Sequence, residues 1–294
     1  MNVDIKPGKY VVAVSGGVDS MVLLDVLAGL PDLGLVVAHF EHGIRPDSHK
    51  DYRLVKAIAK KYRLPFVGAH GNLGPEASEA VARKARYDFL FDVMCEEDAA
   101  AVITAHHQDD MLETAIFNLL RGTGRLGLSS LMSRDKLIRP LLDYSKKEIR
   151  EYADKHQLTW REDSTNADDR YLRNYIRHNI MTRFSEKART ELLERVRQAK
   201  AINAQIDSWL EKGLALQPSL DQLKRSWLMQ LPYSVATEVM AAWLRRNGVG
   251  SFDRALIDYL VVAAKTKRPG KAADVNATYV LEIGKETLKL IRRQ

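Results

Sequence analysis

The first 121 residues alternate between short apolar runs and longer segments in which apolar residues recur every three or four positions. Short β-branched apolar runs are typical of buried strands, whereas the three-to-four spacing is typical of helices. The runs that predict strands are Tyr10–Val14, Leu35–Phe40, Pro65–Ala69 and Ala99–Ala105. The segments that predict helices are Met21–Leu30, Ser48–Arg63, Glu76–Cys95 and Asp109–Arg121. This alternation predicts an α/β fold, a doubly wound parallel sheet whose ligands bind beyond the carboxyl ends of the strands.

The pattern changes after residue 121 and again near residue 185. Residues 122–144 form a Gly- and Ser-rich loop, Ser145–His156 a helix with a Ser145/Glu148 capping box, and 159–170 an irregular segment. One long helix is predicted next from the spacing of Leu192, Val196, Ala199, Ile202, Ile206 and Trp209. Shorter helices are predicted at about 218–230, 235–247 and 252–264, and then a hairpin around Gly284. We therefore predict two domains, 1–185 and 186–294, of which the second is mainly helical.

Charge is divided unevenly between these two domains. Residues 1–185 carry 26 Lys and Arg against 26 Asp and Glu, whereas residues 186–294 carry 19 against 12. The second domain therefore accounts for the whole net charge of +7. A basic appendage on a neutral body favours a polyanionic partner, and an ordinary solvated basic surface is the alternative.

Composition excludes several classes of protein. The single cysteine, Cys95, excludes an internal disulfide and any site that needs two thiols of one chain. Its apolar helical neighbours predict that Cys95 is a small core residue. Uncharged apolar runs such as 259–264 are far shorter than the roughly 18 residues of a membrane helix, and the N-terminus lacks a signal-peptide pattern. We therefore expect a cytoplasmic protein without a membrane span.

The segment Ser15-Gly16-Gly17-Val18-Asp19-Ser20 lies directly between a predicted strand and a predicted helix. Two adjacent glycines permit a tight turn, and the amides at the following helix start favour an anion. The Gly-Lys-[Ser/Thr] ending of a Walker loop does not occur in the chain, which excludes a Walker-type NTPase. The pattern predicts a phosphate-binding loop in which Asp19 faces a metal ion or orients the loop.

A second polar cluster, His106-His107-Gln108-Asp109-Asp110 followed by Glu113, comes directly after the fourth predicted strand. Asp109 and Glu113 are four residues apart, so both carboxylates share one helix face, and Asp110 and Glu113 form a second pairing. Such a pair suits Mg²⁺ on a triphosphate or a cationic amine, and the sequence leaves these alternatives open. The structural alternative is that these acidic residues only stabilise the N-terminus of the helix through its dipole. A metallohydrolase is a further alternative, but it would need a second His cluster at ligand spacing.

The loop 15–20 resembles that of the N-type ATP pyrophosphatases, and further segments resemble one family among them, the tRNA(Ile)-lysidine synthases. These segments are His39–Arg45, Glu79–Tyr87, Ala105–Thr114, Arg121–Gly124, Arg139–Leu142, Glu162–Asn166 and Arg173–Arg177. The resemblance implies an adenine nucleotide α-hydrolase-like fold and a ligase that forms a C–N bond. In that reaction ATP adenylates the C2 oxygen of the wobble cytidine of tRNA(Ile) with a CAU anticodon and releases pyrophosphate. Free L-lysine then displaces AMP to form lysidine.

The resemblance also implies roles for the polar residues singled out above. Ser15, Gly16, Gly17, Val18, Asp19 and Ser20 would bind ATP, together with the main chain at Ala38, His39 and Phe40. Asp109 and Glu113 would bind lysine, and Asp19 and Asp110 would hold Mg²⁺. A base must keep the attacking amine neutral, and the candidates are Asp109, Asp110 and His106.

Arginines and asparagines of residues 121–177 would contact tRNA. The residues expected there are Arg121, Arg125, Arg139, Asn166, Arg173, Asn174 and Arg177, while Arg45 and Arg86 are further candidates for phosphate or for the lysine carboxylate. Two rival functions are a tRNA thiolase on the same loop and a non-catalytic RNA-binding protein. The single cysteine argues against the first and the complete loop and acidic residues against the second.

Overall fold

The structure is a computed structural model that describes residues 1–43, 48–71, 73–74, 78–129, 131–162, 172–250 and 252–293. The chain folds into two compact units, Met1–Lys200 and Ala201–Gln294. The division between Lys200 and Ala201 falls within the helix Glu186–Ala215, and the boundary predicted at residue 185 lies just before that helix.

The first unit alternates strands and helices. Its strands are β1 (Gly8–Ala13), β2 (Leu33–Glu41), β3 (Phe66–His70), β4 (Ala101–Ile103) and β5 (Leu137–Ile138). Its helices are α1 (Val18–Ala28), α2 (Ser48–Lys61), α3 (Glu79–Glu96), α4 (Gln108–Leu120), α5 (Arg125–Leu128), α6 (Lys146–Lys155) and α7 (Leu172–Tyr175), and α8 (Glu186–Ala215) begins in this unit. Short turns of other helix types occupy Pro140–Asp143, Ile176–Ile180 and Met181–Arg183.

The strands of the first unit form one sheet in the order β3-β2-β1-β4-β5, and every neighbouring pair is parallel. The predicted doubly wound parallel fold is therefore confirmed. Strand order reverses between β1 and β4, so the loops that follow these two strands flank the switch point of the sheet. Ligands of open α/β sheets bind at this point.

Apolar side chains of the strands alternate between the two faces of the sheet. On one face Val12, Val37 and Ile103 pack against the buried residues of α1. On the other face Val11, Val36 and Val102 pack with Leu90 and Val93 of α3, and Met94 completes this cluster. Because both faces are covered, the strands are apolar throughout, which explains their uninterrupted runs in the sequence.

The prediction that Cys95 is a core residue is wrong. Its side chain is exposed, although Val93 and Met94, immediately before it, are buried. The buried stripe of α3 follows Leu90, Val93 and Met94, and each further residue turns about 100° around the helix. Cys95 is thereby rotated out of the stripe toward solvent.

The second unit combines helices with a small antiparallel sheet. Its further elements are β6 (Gln222–Lys224), α9 (Arg225–Gln230), α10 (Tyr233–Arg246), α11 (Arg254–Thr266), β7 (Lys271–Asp274), β8 (Tyr279–Ile283) and β9 (Thr287–Arg292). The strands run in the order β6-β9-β8-β7, and the pair β8/β9 is the predicted hairpin. A helix was expected over 218–230, but 222–224 is a strand because its backbone pairs with β9.

The apolar core of the second unit surrounds Trp243, which lies with Leu223, Leu260 and Leu281. Ile202 and Trp209 of α8 were expected on the buried face of the long helix, but they are 56% and 66% exposed. Among the helices in the described ranges, none is both long enough and apolar enough to cross a bilayer.

Candidate active site

The loop between β1 and α1 folds around the side chain of Ser20. The Ser20 hydroxyl oxygen accepts hydrogen bonds from the amides of Ser15 (3.1 Å) and Gly16 (3.2 Å) and donates one to the Gly17 carbonyl (2.9 Å). The Ser15 hydroxyl lies 3.1 Å from the same oxygen. Ser20 is buried, so its hydroxyl is an internal support of the turn.

The N-terminus of α1 is left open by this turn. Gly17 is the N-cap and supplies no side-chain cap, so the first amides of the helix have no capping side chain. Gly16 adopts φ +94°, a conformation that L side chains rarely take. Uncapped amides at the positive end of an 11-residue helix favour an anion, and phosphate binding by residues 15–20 stays a prediction.

Arg161 and Asp51, which are far from this loop in the sequence, contact it and each other. The backbone amide of Arg161 donates to the Gly16 carbonyl (3.0 Å), and its Nε donates to the buried Asp51 (2.6 Å). A Cβ added to Gly16 would lie 3.5 Å from the Asp51 Cβ, so α2 packs directly beneath the turn. The sequence pattern singled out neither Arg161 nor Asp51 as part of the loop.

Asp19, on the first turn of α1, lies between a cation and a histidine. Lys146 Nζ lies 2.5 Å from Oδ1 and 2.7 Å from Oδ2 of Asp19. His107 Nε2 lies 3.8 Å from Asp19 and 3.5 Å from Asp110, and the His107 amide donates to Asp110 (3.0 Å). The fold therefore brings the carboxylates after β1 and after β4 together around one imidazole ring.

Glu113 is the most buried of the predicted acidic residues, at 4% exposure. Arg177 binds it bidentately, with Nε 2.6 Å from Oε1 and Nη2 2.8 Å from Oε2. Burial raises the pKa of the Glu113 carboxyl, and the hydrogen bonds from Arg177 oppose that shift. Arg177 also approaches Asp110 (4.0 Å), so Asp110 and Glu113 share this guanidinium.

Asp109 has a different partner from the other acidic residues. Its Oδ2 lies 3.4 Å from Nη1 of Arg189, whose Nη2 donates to the Met181 carbonyl (3.0 Å). Asp109 and Glu113 were expected to form one binding pair, but they contact two different arginines, Arg189 and Arg177. Their joint binding of lysine stays a prediction.

His106 points away from these carboxylates, although it is the neighbour of His107. Its Nδ1 lies 2.9 Å from the Thr104 hydroxyl. Burial lowers the pKa of the His106 imidazole well below its usual range, and the nearby Arg139 and Arg86 lower it further. Its imidazole is therefore neutral at pH 7, in a basic environment.

The residues expected to contact adenine lie at the end of β2, beside the loop. Ala38 pairs with Ala13, and its carbonyl accepts the amide of Val14 (2.9 Å). His39 Nδ1 lies 2.7 Å from the Val14 carbonyl, and burial lowers its pKa. Phe40 packs against the ring of Phe89. Contact of these residues with adenine stays a prediction.

The arginines expected to bind tRNA occupy different environments. Arg121 and Arg173 lie over the Phe117 ring at 5.2 and 5.5 Å. Arg177 is the partner of Glu113, and Arg139 is 6% exposed and donates to the Met132 carbonyl. Arg125 begins α5 and Asn174 lies within α7, both half-buried, whereas Asn166 and Arg45 lie outside the described residues.

Comparison with known proteins identifies the family. A family profile described as the PP-loop domain matches residues 2–184, more than half of the chain. The chain belongs to the PP-loop family. The open loop after β1 lies within the matched segment and occupies the switch point of the sheet.

Relatives of this PP-loop chain include curated tRNA(Ile)-lysidine synthases. That of Thermotoga maritima is 37% identical over 193 residues, which cover 62% of this chain and 47% of the relative. That of Legionella pneumophila (strain Lens) is 33% identical over 255 residues, 82% of this chain and 58% of the relative. The chain thus spans about half the length of the curated relatives it matches.

A solved structure with a similar fold is the U34-tRNA thiolase NcsA from Methanococcus maripaludis with its [4Fe-4S] cluster. Its TM-score is 0.53 at 17% sequence identity, and the match covers 66% of this chain and 73% of that chain. At this identity the similarity concerns the fold alone.

The donor set of the site fits a magnesium ion that arrives with a nucleotide. Mg²⁺ is typically bound by one or two carboxylates together with phosphate oxygens and water. Asp19 and Asp110, which both lie within 4 Å of His107 Nε2, would supply two such carboxylates next to the open helix end. Among the described residues no group of three His, Cys, Asp or Glu side chains forms a closed metal site.

Proposed function

We propose that this PP-loop chain is an ATP-dependent tRNA-modifying ligase that attaches lysine to C2 of the wobble cytidine of tRNA(Ile) with a CAU anticodon. The observation that carries the proposal is the open N-terminus of α1 beside the Asp19–His107–Asp110 cluster. An anion site and adjacent carboxylates are what adenylation by a metal-bound triphosphate requires. The tRNA(Ile)-lysidine synthases among its relatives support the choice of substrate.

In the first step the C2 oxygen of the cytidine attacks the α-phosphorus of ATP, and the bond to pyrophosphate breaks. The loop 15–20 binds the departing pyrophosphate through the first amides of α1. Mg²⁺ bound by Asp19 and Asp110 would neutralise charge that develops on the leaving group. The ammonium group of Lys146, which contacts the Asp19 carboxylate, adds a positive charge next to the loop. It would take the role that the lysine of a Walker loop has toward the phosphates.

In the second step an amine of lysine attacks C2 of the adenylated cytidine, the C2–oxygen bond breaks, and AMP leaves. The attacking ammonium must first lose a proton, because an amine of pKa about 10.4 is almost fully protonated at pH 7. Of the three candidate bases, Asp109 and Asp110 belong to the acidic group and are the carboxylates that would accept this proton, whereas His106 contacts Thr104 instead. The remaining ammonium of lysine binds the acidic group around Asp109 and Glu113.

The RNA partner requires positive charge and planar groups on which bases can stack. Arg121 and Arg173 lie over the half-buried Phe117 ring, and their guanidinium planes would supply both to unpaired bases. Residues 186–294, which carry the basic excess, would bind the phosphates of the stem. ATP, free lysine and tRNA are all cytoplasmic, and we assign the protein to that compartment.

The proposal is tested by incubating the protein with ATP, Mg²⁺, radiolabelled lysine and a tRNA(Ile) transcript bearing the CAU anticodon. Label is expected in the tRNA, with one AMP and one pyrophosphate released for each lysine attached. A transcript with uridine at the wobble position is the matched control and incorporates none. Equal labelling of both transcripts, or no labelling of either, contradicts the proposal.

A labelled sulfur donor, added to this assay, distinguishes the proposed ligase from a sulfur transferase with the same fold. Thiolation replaces an oxygen by sulfur and normally uses paired cysteines or an iron–sulfur cluster, whereas this chain contains one cysteine. If the tRNA incorporates sulfur from a labelled donor and incorporates no lysine, the protein is a thiolase and the proposed ligase function is wrong.

A further inference from the structure

An open cavity of about 420 Å³ lies at the end of α1 that is remote from the loop 15–20. The ends of α1, α2 and α6 meet there, and the polar and aromatic residues that line the cavity are Asp25, Tyr62, Tyr152 and His156. Gly17 and Gly29 cap opposite ends of α1, about 18 Å apart. The cavity, which we refer to as the Asp25 cavity, is therefore separate from the proposed active site and has the volume of a small-molecule site.

Both oxygens of the Asp25 carboxylate accept hydrogen bonds from phenols. Tyr62 donates to Oδ1, and Tyr152 donates to Oδ2 (2.8 Å). Burial and the Asp25 carboxylate raise the pKa of the Tyr152 phenol to about 12 and also raise the pKa of Tyr62, so both phenols stay protonated. A phenol that donates its proton keeps its oxygen lone pairs as acceptors. A carboxylate and two phenol oxygens thus lie together as acceptors at this cavity.

The negative charge of Asp25 has little compensation in the protein. Asp25 lies in the last turn of α1, where the helix dipole disfavours an acidic side chain, and that turn contains no basic residue. Within the described residues its one ion-pair partner is His156, whose Nδ1 lies 3.5 Å from Oδ2. The Leu30 amide donates to the Leu27 carbonyl (3.1 Å), so the carbonyl of Val26, which also lines the cavity, lacks its helical partner. The carboxylate and the helix end both favour a cation.

Aromatic rings surround this carboxylate. The rings of Tyr152 and His156 are stacked, with centroids 3.9 Å apart and planes at 12° to each other, and the Tyr62 ring lines the same cavity. The face of a tyrosine ring attracts a cation within about 6 Å of its centroid. A carboxylate beside tyrosine rings is therefore suited to an organic ammonium group.

A metal ion fits this cavity less well than an organic cation. Mg²⁺ and Ca²⁺ require several oxygen ligands, whereas Asp25 is the only acidic residue among the described residues of the lining. Both of its oxygens already accept phenol protons. The remaining lining includes the apolar side chains of Met1, Val26 and Leu30, against which a hydrocarbon chain can pack.

We propose that the Asp25 cavity binds a primary alkylammonium compound, with its ammonium group at Asp25 and its alkyl chain against the apolar lining. An ammonium group has three donors, which match the carboxylate and the two phenol oxygens. This inference does not depend on the proposed ligase function, because it concerns the opposite end of α1. Free lysine and polyamines both carry such a group, and the test separates these two sources.

The first test is calorimetric titration of n-butylamine onto the full chain, without ATP or tRNA. Asp25→Asn keeps the shape of the side chain but removes its charge, and is expected to raise the Kd of n-butylamine about 10-fold or more. Asp32→Asn is the matched control, because Asp32 is exposed and its φ of +64° suits asparagine. Its Kd should equal that of the wild type. The neutral isostere n-butanol should show no binding that depends on Asp25.

A second variant tests the aromatic wall without changing the carboxylate. Tyr152→Leu removes one ring and one phenol, and is expected to weaken n-butylamine binding about three-fold or more. Circular dichroism of each variant separates a loss of binding from a loss of folding. Tyr152→Leu keeps the proposal testable if the Asp25→Asn protein does not fold, and unchanged affinity in that variant would contradict the proposal.

L-lysine and spermidine are then titrated onto the wild-type and Asp25→Asn proteins. The source whose Kd depends on Asp25 is the occupant of the cavity, whereas lysine bound only at the proposed active site is unaffected by this substitution. Equal n-butylamine affinity in the two proteins, equal binding of n-butanol and n-butylamine, or independence of both natural amines from Asp25 would overturn the inference. Failure of the wild-type protein to transfer lysine to tRNA would refute the ligase function and leave these binding results unchanged.

Discussion

Lys146 at the start of α6 binds both carboxylate oxygens of Asp19 at the start of α1, across 127 positions of sequence. In the proposed site Asp19 alone would repel the triphosphate of ATP at the open end of α1. Lys146 cancels this repulsion and brings a cation to a phosphate loop that has no lysine of its own. Asp19 and Lys146 therefore act as one unit in the proposed site.

Replacement of Lys146 by alanine is expected to raise the KM for ATP about 10-fold or more, because a charge-assisted contact near the phosphates is lost. The KM for ATP is measured by pyrophosphate exchange and by lysine transfer. Lys147→Ala is the control, since Lys147 is 85% exposed at the adjacent position and pairs with Glu151 on the same helix at 3.9 Å. Equal effects of the two variants would contradict the role given to Lys146.

Asp19→Asn is expected to reduce lysine transfer about 100-fold or more, because the amide is a poor ligand for Mg²⁺ and no longer pairs with Lys146. The melting temperature should change little, since the Asp19 side chain is 28% exposed. Asp92→Asn, at an exposed position of α3, is the control and keeps full activity. Full activity of the Asp19→Asn protein would show that Asp19 has no role in the proposed site.

Gly16→Ala is expected to lower the free energy of unfolding by about 1–2 kcal/mol, because φ +94° is strained for an L side chain. Gly17→Ala is the matched substitution at the next position, where φ is −77° and the added Cβ lies 3.6 Å from the Ser15 hydroxyl. It should be nearly neutral for stability. Urea unfolding of both variants measures the difference, and equal losses would contradict the conformational argument.

Glu113 and Arg177 are expected to be energetically coupled by about 1–2 kcal/mol, a value reduced because the Arg177 side chain is 39% exposed. Glu113→Gln, Arg177→Met and the double variant form a double-mutant cycle, measured by urea unfolding. The exposed pair Lys84 and Asp88 serves as the reference and should show no measurable coupling. Additive effects at Glu113 and Arg177 would show that the bidentate contact does not stabilise the fold.

Stability should fall as the pH decreases from about 6.5 to 5, and His106 should contribute to that loss. Burial holds the folded-state pKa of His106 well below 6.5, so in this range the unfolded chain binds a proton that the folded chain does not. Stability therefore rises with pH, and a single such group contributes up to about 1.4 kcal/mol per pH unit. His106→Gln should flatten the dependence measured by urea unfolding at pH 5, 6 and 7; an unchanged slope would indicate that His106 titrates normally.

Local features of the fold follow directly from the order of residues. Buried strands flanked by helices predicted the parallel sheet, because residues covered on both faces must be apolar and helices must bury one stripe. The capping box of α6 was predicted in the same way, and Ser145 and Glu148 form it through contacts three residues apart. The errors at Cys95 and at 222–224 lie where helix rotation or pairing with a distant strand decided the outcome.

The sequence by itself determined the parallel sheet and the position of the loop 15–20 between a strand and a helix. Only the tertiary structure decided which charges meet: Lys146 with Asp19, Arg161 with Asp51, and Arg177 with Glu113. Hydrophobic periodicity records which face of an element is buried, whereas these ion pairs depend on how separate elements are placed at the edge of the sheet. That placement results from packing of the whole unit, so no local spacing of residues encodes it.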